Sequence, residues 1–274
     1  MIAAEQARPA RNIAYVGAEP PGIRAELDAL EPPWSETARI MRRADGSIAG
    51  AVVVELDAEL RRAWIYRPWV AGDDDWDMHA PALLDAALEQ CSGMEAECLP
   101  ELANTRLIAL VEQRDWRRSS NTHRALVVAA GTAAKWPGPD AEGLRAAVDV
   151  DLDSVRRVHD AEFPDTHTPA DRLLATMDVI VATRDGAVCG YAAGRIQPDG
   201  QGYLEYLGVD PLHRRRGVGR DLVVALTREL MIASPKREVA LSVDDDRGAA
   251  RALYASLGFV TATSFVAFRR AFAG

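Results

Sequence analysis

The chain has 274 residues, of which 48% are hydrophobic, and it carries 41 acidic against 32 basic side chains. A formal net charge of −9 excludes the general basic surface of a nucleic-acid-binding protein. No run of about 18 apolar residues occurs and the first residues lack the regions of a leader, so we expect a cytoplasmic protein that spans no membrane. The three cysteines, Cys91, Cys98 and Cys189, are too few and too irregularly spaced for a disulfide framework or a zinc site, so we expect buried thiols and no metal.

Two patterns in the first half of the chain recur in the second half. Asp45-Gly46-x-Ile48-x-Gly50 returns as Asp185-Gly186-x-Val188-x-Gly190, at an offset of 140 residues. The segment from Asn104 to Trp116 returns as the segment from Arg247 to Phe259, at an offset of 143 residues. Repetition over such a period indicates two copies of one fold, and the chain is long enough for two domains.

A stretch rich in glycine and proline lies between the two copies. It contains Gly131, the run Lys135-Trp136-Pro137-Gly138-Pro139 and Gly143. Clusters of these residues between periodic segments are typical of linkers. We therefore predict a first domain at residues 1–131, a linker at 132–143 and a second domain at 144–274.

Residues 203–230 predict a strand, a loop and a helix in that order. Aromatic and aliphatic side chains favour a strand over Tyr203–Val209. The helix is indicated by apolar residues at helical spacing, namely Leu222, Val223, Leu226 and Leu230.

The loop between them, His213-Arg214-Arg215-Arg216-Gly217-Val218-Gly219-Arg220, combines fixed positive charge with two glycines. The glycines allow backbone amides to converge, and the helix adds unpaired amides and the positive end of its dipole. The loop therefore predicts a phosphate or pyrophosphate site, with an ordinary glycine turn as the structural alternative. A P-loop does not fit, because no Gly-Lys-Ser/Thr follows, and the third glycine of a dinucleotide fingerprint would fall on Leu222.

A second segment follows the same order of strand and helix. Val239–Val243 predicts a buried strand, and Ala250-x-x-Leu253-Tyr254-x-x-x-Gly258-Phe259 predicts a short helix closed by glycine. With Asp185–Gly190 and the arginine-glycine loop ahead of it, this segment makes residues 144–274 resemble the GCN5-related N-acetyltransferases (GNAT). The resemblance and the repeat together imply an α/β fold of two GNAT-like domains in tandem. Each would be a mixed, mostly antiparallel sheet flanked by helices, with a splayed pair of parallel strands.

The resemblance implies that acetyl-CoA binds between the splayed strands as a cosubstrate, with the arginine-glycine loop around its pyrophosphate. The Val209 amide would bind the acetyl carbonyl and the charge that develops on it. The family often has Asn where this chain has Arg247, so any contact made by that Asn is not carried over. The implied cofactor contacts are Leu207, Gly208, Val209, Arg214, Arg215, Arg216, Gly217, Val218, Gly219 and Arg220.

Transfer to an alkyl amine needs a base for the amine and an acid for the leaving thiolate, because such amines are mostly protonated at neutral pH. Tyr254 matches the position of the family's general acid. The family's frequent glutamate falls on Tyr203 here, but Glu205 lies two residues later on the same strand face and is our candidate base. The alternative is a glutamate that is paired with a basic neighbour or solvated.

The first copy lacks these groups. Asp73, Asp74 and Asp75 stand where the arginine-glycine loop would be, and Val111 replaces the tyrosine. Carboxylates there would repel a pyrophosphate, so we predict a degenerate copy that shapes the structure or the substrate site. In the second copy, His159 and His167 flank a segment that often lines the acceptor site in the family, although isolated histidines usually have packing or surface roles.

The sequence thus predicts an acetyl-CoA-dependent N-acetyltransferase that acts on a primary amine of a small molecule or peptide by direct attack in a ternary complex. The alternative is a non-enzymatic acyl-CoA-binding regulatory protein. Retention of Tyr254 and Glu205 favours the enzyme. The acceptor and the oligomeric state stay open, because acceptor pockets are built from loops that vary within one fold.

Overall fold

The computed structural model describes residues 1–139, 142–164, 166 and 168–271. The chain forms two compact units. The first comprises the described residues of Met1–Arg124, Asp244–Asp246 and Thr263–Gly274, and the second those of Ala125–Val243 and Arg247–Ala262. Three strands contribute residues to both units, so the domain limits drawn from the sequence stay a prediction.

The first unit begins with helices and continues with a strand meander. Its helices are α1 (Ile2–Gln6), α2 (Pro20–Asp28), α3 (Trp34–Thr37), α4 (Trp76–Leu88) and α5 (Thr105–Glu112). Its strands are β1 (Arg39–Arg42), β2 (Ile48–Asp57), β3 (Arg62–Val70), β4 (Glu95–Cys98) and the first part of β5 (Arg117–Ala129).

The sheet of the first unit is mixed. Strands β1, β2 and β3 pair antiparallel, and β3 and β4 pair in parallel. Residues 268–270 of β11 (Val260–Arg270) pair antiparallel with β4. Helix α4 packs on β2 and β3, and the apolar core beneath it includes Trp69, Leu83 and Leu107, all fully buried.

The second unit repeats this plan. Its helices are α6 (Ala130–Ala133), α7 (Leu152–Glu162), α8 (Ala170–Thr176), α9 (Val218–Ala233) and α10 (Gly248–Ser256). Its strands are β6 (Leu144–Ala146), β7 (Asp178–Arg184), β8 (Ala187–Ile196), β9 (Gly202–Val209) and β10 (Glu238–Asp244).

The sheet of the second unit is covered on both faces. Strands β6, β7, β8 and β9 pair antiparallel in sequence, and β9 and β10 pair in parallel. Helix α9 packs on β7, β8 and β9, whereas α7 packs on β8 and β9 from a separate apolar cluster. Because both faces are covered, β7 and β8 each contain a continuous buried run, at residues 179–182 and 188–194.

The internal repeat is visible in matching local structures. Gly46 and Gly186 both have positive φ, at 83° and 79°, in the hairpin turns β1–β2 and β7–β8. Each unit also has one parallel pair of three residue pairs, which join residues 62–64 to 95–97 and residues 202–204 to 239–241. These features confirm the predicted tandem fold, with a mixed, mostly antiparallel strand arrangement in each unit.

The three cysteines are buried and carry free thiols, as expected. Over the described residues, no helix has the length and apolar character needed to cross a bilayer. The same part of the chain holds no group of three His, Cys, Asp or Glu side chains that could bind a metal ion.

Candidate active site

Strands β9 and β10 separate after three residue pairs. Their pairing ends at Leu204 and Leu241, while β9 continues to Val209 and β10 to Asp244. The carboxyl ends of the two strands therefore part and open a cleft between them. This edge of a parallel pair is where α/β proteins bind ligands.

A β-bulge in β9 marks the start of the cleft. The register between β8 and β9 shifts between Ala193 and Gly194, which leaves Glu205 as the extra residue of β9. The Glu205 side chain is 10% exposed, and its Oε2 lies 3.3 Å from Nε of Arg195 on β8. The pairing with a basic neighbour that we considered as an alternative is therefore present.

The loop after β9 leads into the uncapped end of α9. Arg215 and Gly217 both have left-handed backbone angles, with φ of 61° and 86°. Gly217 immediately precedes α9, whose first turn receives no side-chain cap. The free amides and the helix dipole make this end positive, and three arginines with exposed side chains, Arg214, Arg215 and Arg216, precede it in the chain.

Gly219 lies within α9 and faces both the end of β9 and α10. A Cβ at this position would lie 3.6 Å from Cγ2 of Val209 and 3.9 Å from Cδ2 of Leu253. These are ordinary contacts, and the backbone is helical. We expected the backbone to demand glycine at both loop positions; this holds for Gly217, whereas Gly219 matters for the space that it leaves beside Val209.

The other predicted contact residues lie where β9 meets the helices. A Cβ on Gly208 would lie 2.6 Å from Cε1 of Tyr191 and 2.9 Å from Cγ1 of Val158, so packing on the α7 side requires glycine there. Leu207 packs in the apolar cluster on the α9 side, which also contains buried Val218. Arg220 pairs with Asp221, whose Oδ1 lies 3.4 Å from its Nη1.

Glu162, the last residue of α7, bridges the open end of the splayed strands. Its carboxylate contacts the guanidinium of Arg214, and its Oε2 lies 3.4 Å from Nη1 of Arg247. Nε of Arg214 also donates to the carbonyl oxygen of Val209, 3.0 Å away at the end of β9. Arg247 follows β10, so one carboxylate links the chain after β9 to the chain after β10.

Tyr254 lies on the inner face of α10. Its side chain is 5% exposed, and its ring packs edge-on against Phe259 at 5.7 Å between centroids. Burial raises the pKa of the Tyr254 phenol above its usual range. A neutral phenol can donate a proton, and the ring belongs to the same apolar cluster as Val218 and Leu222 at the start of α9.

The comparisons with known proteins identify this part of the chain. Residues 150–259 match the model of the acetyltransferase (GNAT) family. These residues are a GNAT domain. They include α7, the splayed strands β9 and β10, the arginine-glycine loop and Tyr254.

Solved GNAT structures resemble the whole chain as well as this domain. A GCN5-related N-acetyltransferase from Sphaerobacter thermophilus has a TM-score of 0.72 at 20% identity, over 98% of this chain and 90% of that one. A GCN5-related N-acetyltransferase from Kribbella flavida has a TM-score of 0.62 at 20% identity, over 92% and 96%. A tandem GNAT protein from the clavulanic acid biosynthesis pathway has a TM-score of 0.62 at 16% identity, over 85% and 82%.

At these identities the likeness establishes the fold of both units. No curated protein matches the chain in sequence.

The histidine on α7 of the GNAT domain is a packing residue. His159 is fully buried, and its Nε2 donates to the carbonyl oxygen of Thr168 at 2.8 Å. Its Nδ1 lies 2.5 Å from the Tyr191 hydroxyl oxygen. The ring thus fastens the segment after α7 onto β8. His167 lies outside the described residues.

The first unit fills its own version of the cleft. Strands β3 and β4 also part after three residue pairs, but α1 packs on β3 and the residues that follow pair with the chain after β4. Glu5 of α1 contacts the fully buried Arg67 of β3, with 3.3 Å between Oε2 and Nη2. Gln6 accepts from the Trp69 indole at 3.3 Å, and the amide of Ala14 donates to the carbonyl oxygen of Leu99 at 3.0 Å.

The three aspartates of the first unit do not act as we expected. Asp73 pairs with Arg11 and Arg106, and Asp75 pairs with Arg43. Two of the three carboxylates are thus neutralised within the unit, so they would repel a pyrophosphate less than we expected. The prediction that the first copy is degenerate has a steric reason instead, because its cleft is filled.

Sequence reasoning did not find Glu162 or Arg195. Glu162 is 52 residues from Arg214 along the chain, and Arg195 is on a different strand from Glu205. Glu162 is an acidic residue at the carboxyl end of α7, where the helix dipole disfavours a negative charge. We located no helix there from the sequence, so this signal was missed.

Proposed function

We propose that the GNAT domain transfers an acetyl group from acetyl-CoA to a primary amine by direct attack within a ternary complex. The observation that carries the proposal is the cleft between β9 and β10, which opens beside the uncapped, arginine-lined start of α9. A splayed parallel pair can receive an extended chain such as pantetheine. The positive helix end beside it suits a pyrophosphate.

The residues present fit acetyl-CoA. Gly217 places the α9 amides at the loop, and Gly219 leaves free space next to Val209. Arg214, Arg215 and Arg216 supply the charge that a pyrophosphate needs. The Val209 amide, at the end of β9, is the candidate donor to the acetyl carbonyl.

Two side chains are the candidates for proton transfer. Glu205 lies at the bulge where the strands begin to part, and there it would accept the proton that the amine loses. Tyr254 lies in the α9 and α10 cluster, and its phenol would protonate the departing CoA thiolate. No covalent acyl-enzyme is required, since the amine attacks the thioester directly.

We assign no acyl-CoA to the first unit. The splay of β3 and β4 holds Glu5, Gln6 and the residues up to Ala14, and Arg67 is already engaged by Glu5. The chain there also lacks a Gly-x-Gly loop before α4. This unit would serve as a structural and substrate-shaping half.

The test combines binding and turnover on the intact chain. We expect acetyl-CoA to bind, and thiol release from acetyl-CoA to require an added amine. Acetyl-CoA binding without thiol release for any amine in a broad panel would favour the acyl-CoA-binding regulator instead. Absence of acetyl-CoA binding would contradict both functions.

A further inference from the structure

We propose that the acceptor is a primary amine that carries a carboxylate, as in an amino acid, and that Arg195 binds this carboxylate beside Glu205. The proposal rests on the proposed acetyl transfer and names its substrate class. Arg195 would be a specificity-determining residue. Three features of the β8–β9 region carry it.

Arg195 is placed next to the candidate base and is accessible from outside. It lies opposite Tyr203 in the β8–β9 register, with its Nε 3.3 Å from Oε2 of Glu205. The Arg195 side chain is 45% exposed, whereas that of Glu205 is 10% exposed. A ligand that reaches Glu205 therefore meets the guanidinium as well.

The charge of Arg195 restricts which amines can approach. A simple alkylammonium arriving at Glu205 would be brought close to a fixed positive charge, and the two like charges repel. An acceptor with its own carboxylate reverses this effect, because a guanidinium binds a carboxylate through two parallel hydrogen bonds. The same contact draws Arg195 away from Glu205 and leaves that carboxylate available for the amine.

The neighbouring strand limits the length of the acceptor. The Tyr203 hydroxyl on β9 donates to Oγ of Ser242 on β10, with 2.9 Å between the two oxygens. This bridge joins β9 to β10 at the base of the cleft, on the far side of β9 from Arg195. An acceptor held by Arg195 would place its amine about one strand spacing, ~5 Å, toward β10. That distance suits an amine separated from its carboxylate by a few bonds.

The step balances without another reactant. The amine nitrogen forms a bond to the acetyl carbon, and the carbon–sulfur bond breaks with its electron pair on sulfur. The bound ammonium first loses one proton to Glu205, which releases it to solvent, and the nitrogen loses a second proton to Glu205 as it bonds to the acetyl carbon. Tyr254 protonates the thiolate and regains its proton from solvent. The products are the N-acetyl amino acid, CoA and one released proton, and the carboxylate of the acceptor is unchanged.

The test is a matched acceptor panel with acetyl-CoA and the intact chain. Each free amino acid is compared with its carboxamide and with its decarboxylated amine. We expect acetylation of one or more amino acids, with kcat/KM lower by about 10- to 100-fold for the two partners that lack the carboxylate. Equal rates across each trio would overturn this proposal and leave the proposed function intact.

Variants separate recognition from structure. Arg195→Leu should raise KM for the amino acid about 10- to 100-fold and remove the preference for acids, while Arg195→Lys should restore part of it. Lys236→Leu, which breaks an exposed pair with Asp199, is the matched control and should leave the preference unchanged. A preference for carboxylate-bearing amines that persists in Arg195→Leu would also contradict the role assigned to Arg195. If no amine of the panel were acetylated, amino acids included, the proposed function itself would be contradicted.

Discussion

Oε2 of Glu162 lies 3.4 Å from Nη1 of Arg247, at the open end of the cleft between β9 and β10. The same carboxylate contacts Arg214, so two arginines beside the proposed phosphate site are held by an internal anion. Glu162 is also the last residue of α7, where the helix dipole disfavours a negative charge. The two guanidinium groups offset this unfavourable interaction with the dipole.

Glu162→Gln should strengthen acetyl-CoA binding. The neutral side chain no longer competes with the phosphates for Arg214 and Arg247. Partly exposed ion pairs of this kind are worth about 1 kcal/mol, or roughly fivefold in affinity. Calorimetry at low and moderate salt measures the change. Asp171→Asn, which removes an exposed acid on α8 that pairs with Arg156, is the control and should have no effect. Weaker binding by Glu162→Gln would contradict the competition.

Gly219→Val should abolish or strongly weaken acetyl-CoA binding while the domain stays folded. The added side chain would occupy the space beside Val209 and Leu253, and the helical backbone at this position tolerates a side chain. Calorimetry and thermal unfolding of the same sample distinguish loss of the site from loss of the fold. Gly131→Val is the matched control, since a Cβ there meets no atom within 4 Å. If the folded Gly219→Val variant bound acetyl-CoA as tightly as the wild type, the start of α9 would not be part of the cofactor site.

Tyr254→Phe should reduce kcat by about 100- to 10,000-fold and leave acetyl-CoA affinity nearly unchanged. Only the proton donor is lost, because the phenylalanine ring keeps the packing against Phe259. Steady-state kinetics with calorimetry checks both parts. If Tyr254→Phe had the kcat of the wild type, Tyr254 would have only a structural role.

The fold should lose stability at alkaline pH. Burial raises the pKa of Tyr254, Tyr191 and Tyr206 in the folded state, whereas the tyrosine pKa of an unfolded chain is about 10. Below about pH 10 both states are neutral and the stability is complete. Above it the unfolded chain ionises first, so the free energy of unfolding falls by about 1.4 kcal/mol per pH unit for each buried tyrosine.

Urea denaturation at several pH values from 9 to 11 measures this slope. Tyr254→Phe should show a smaller slope than the wild type, since one of the ionising groups is gone. A stability that does not depend on pH in this range would mean that these phenols ionise as readily in the folded protein as in the unfolded chain.

Local patterns in the sequence predicted the part of the second unit that runs from β9 to α10. The strand, glycine loop and helix from Gly202 to Ala233 could be located because periodicity and turn residues are local signals. The bulge at Glu205 could not, because strand alternation reads the same with or without one extra residue. The Glu162 bridge and the Glu205–Arg195 pair depend on which strands are neighbours, and no local pattern carries that information.

In the first unit, too, contacts between residues that are distant in the sequence could not be predicted. Asp73 and Asp75 read as free carboxylates in the sequence, but the fold brings Arg11, Arg43 and Arg106 to them. The cleft of this unit is filled by α1, which the sequence did not place there. Burial lowers the pKa of Arg67 to about 10, and Glu5 is its counter-charge in that filled cleft.

The stoichiometry of acetyl-CoA binding tests the unequal roles of the two units most directly. Calorimetric titration of the intact chain should give one site, and Gly219→Val should remove it. The single site follows from the open cleft at β9 and β10 and the filled cleft at β3 and β4. Two sites per chain, or one site that survives in folded Gly219→Val, would contradict the assignment of acetyl-CoA to the second unit.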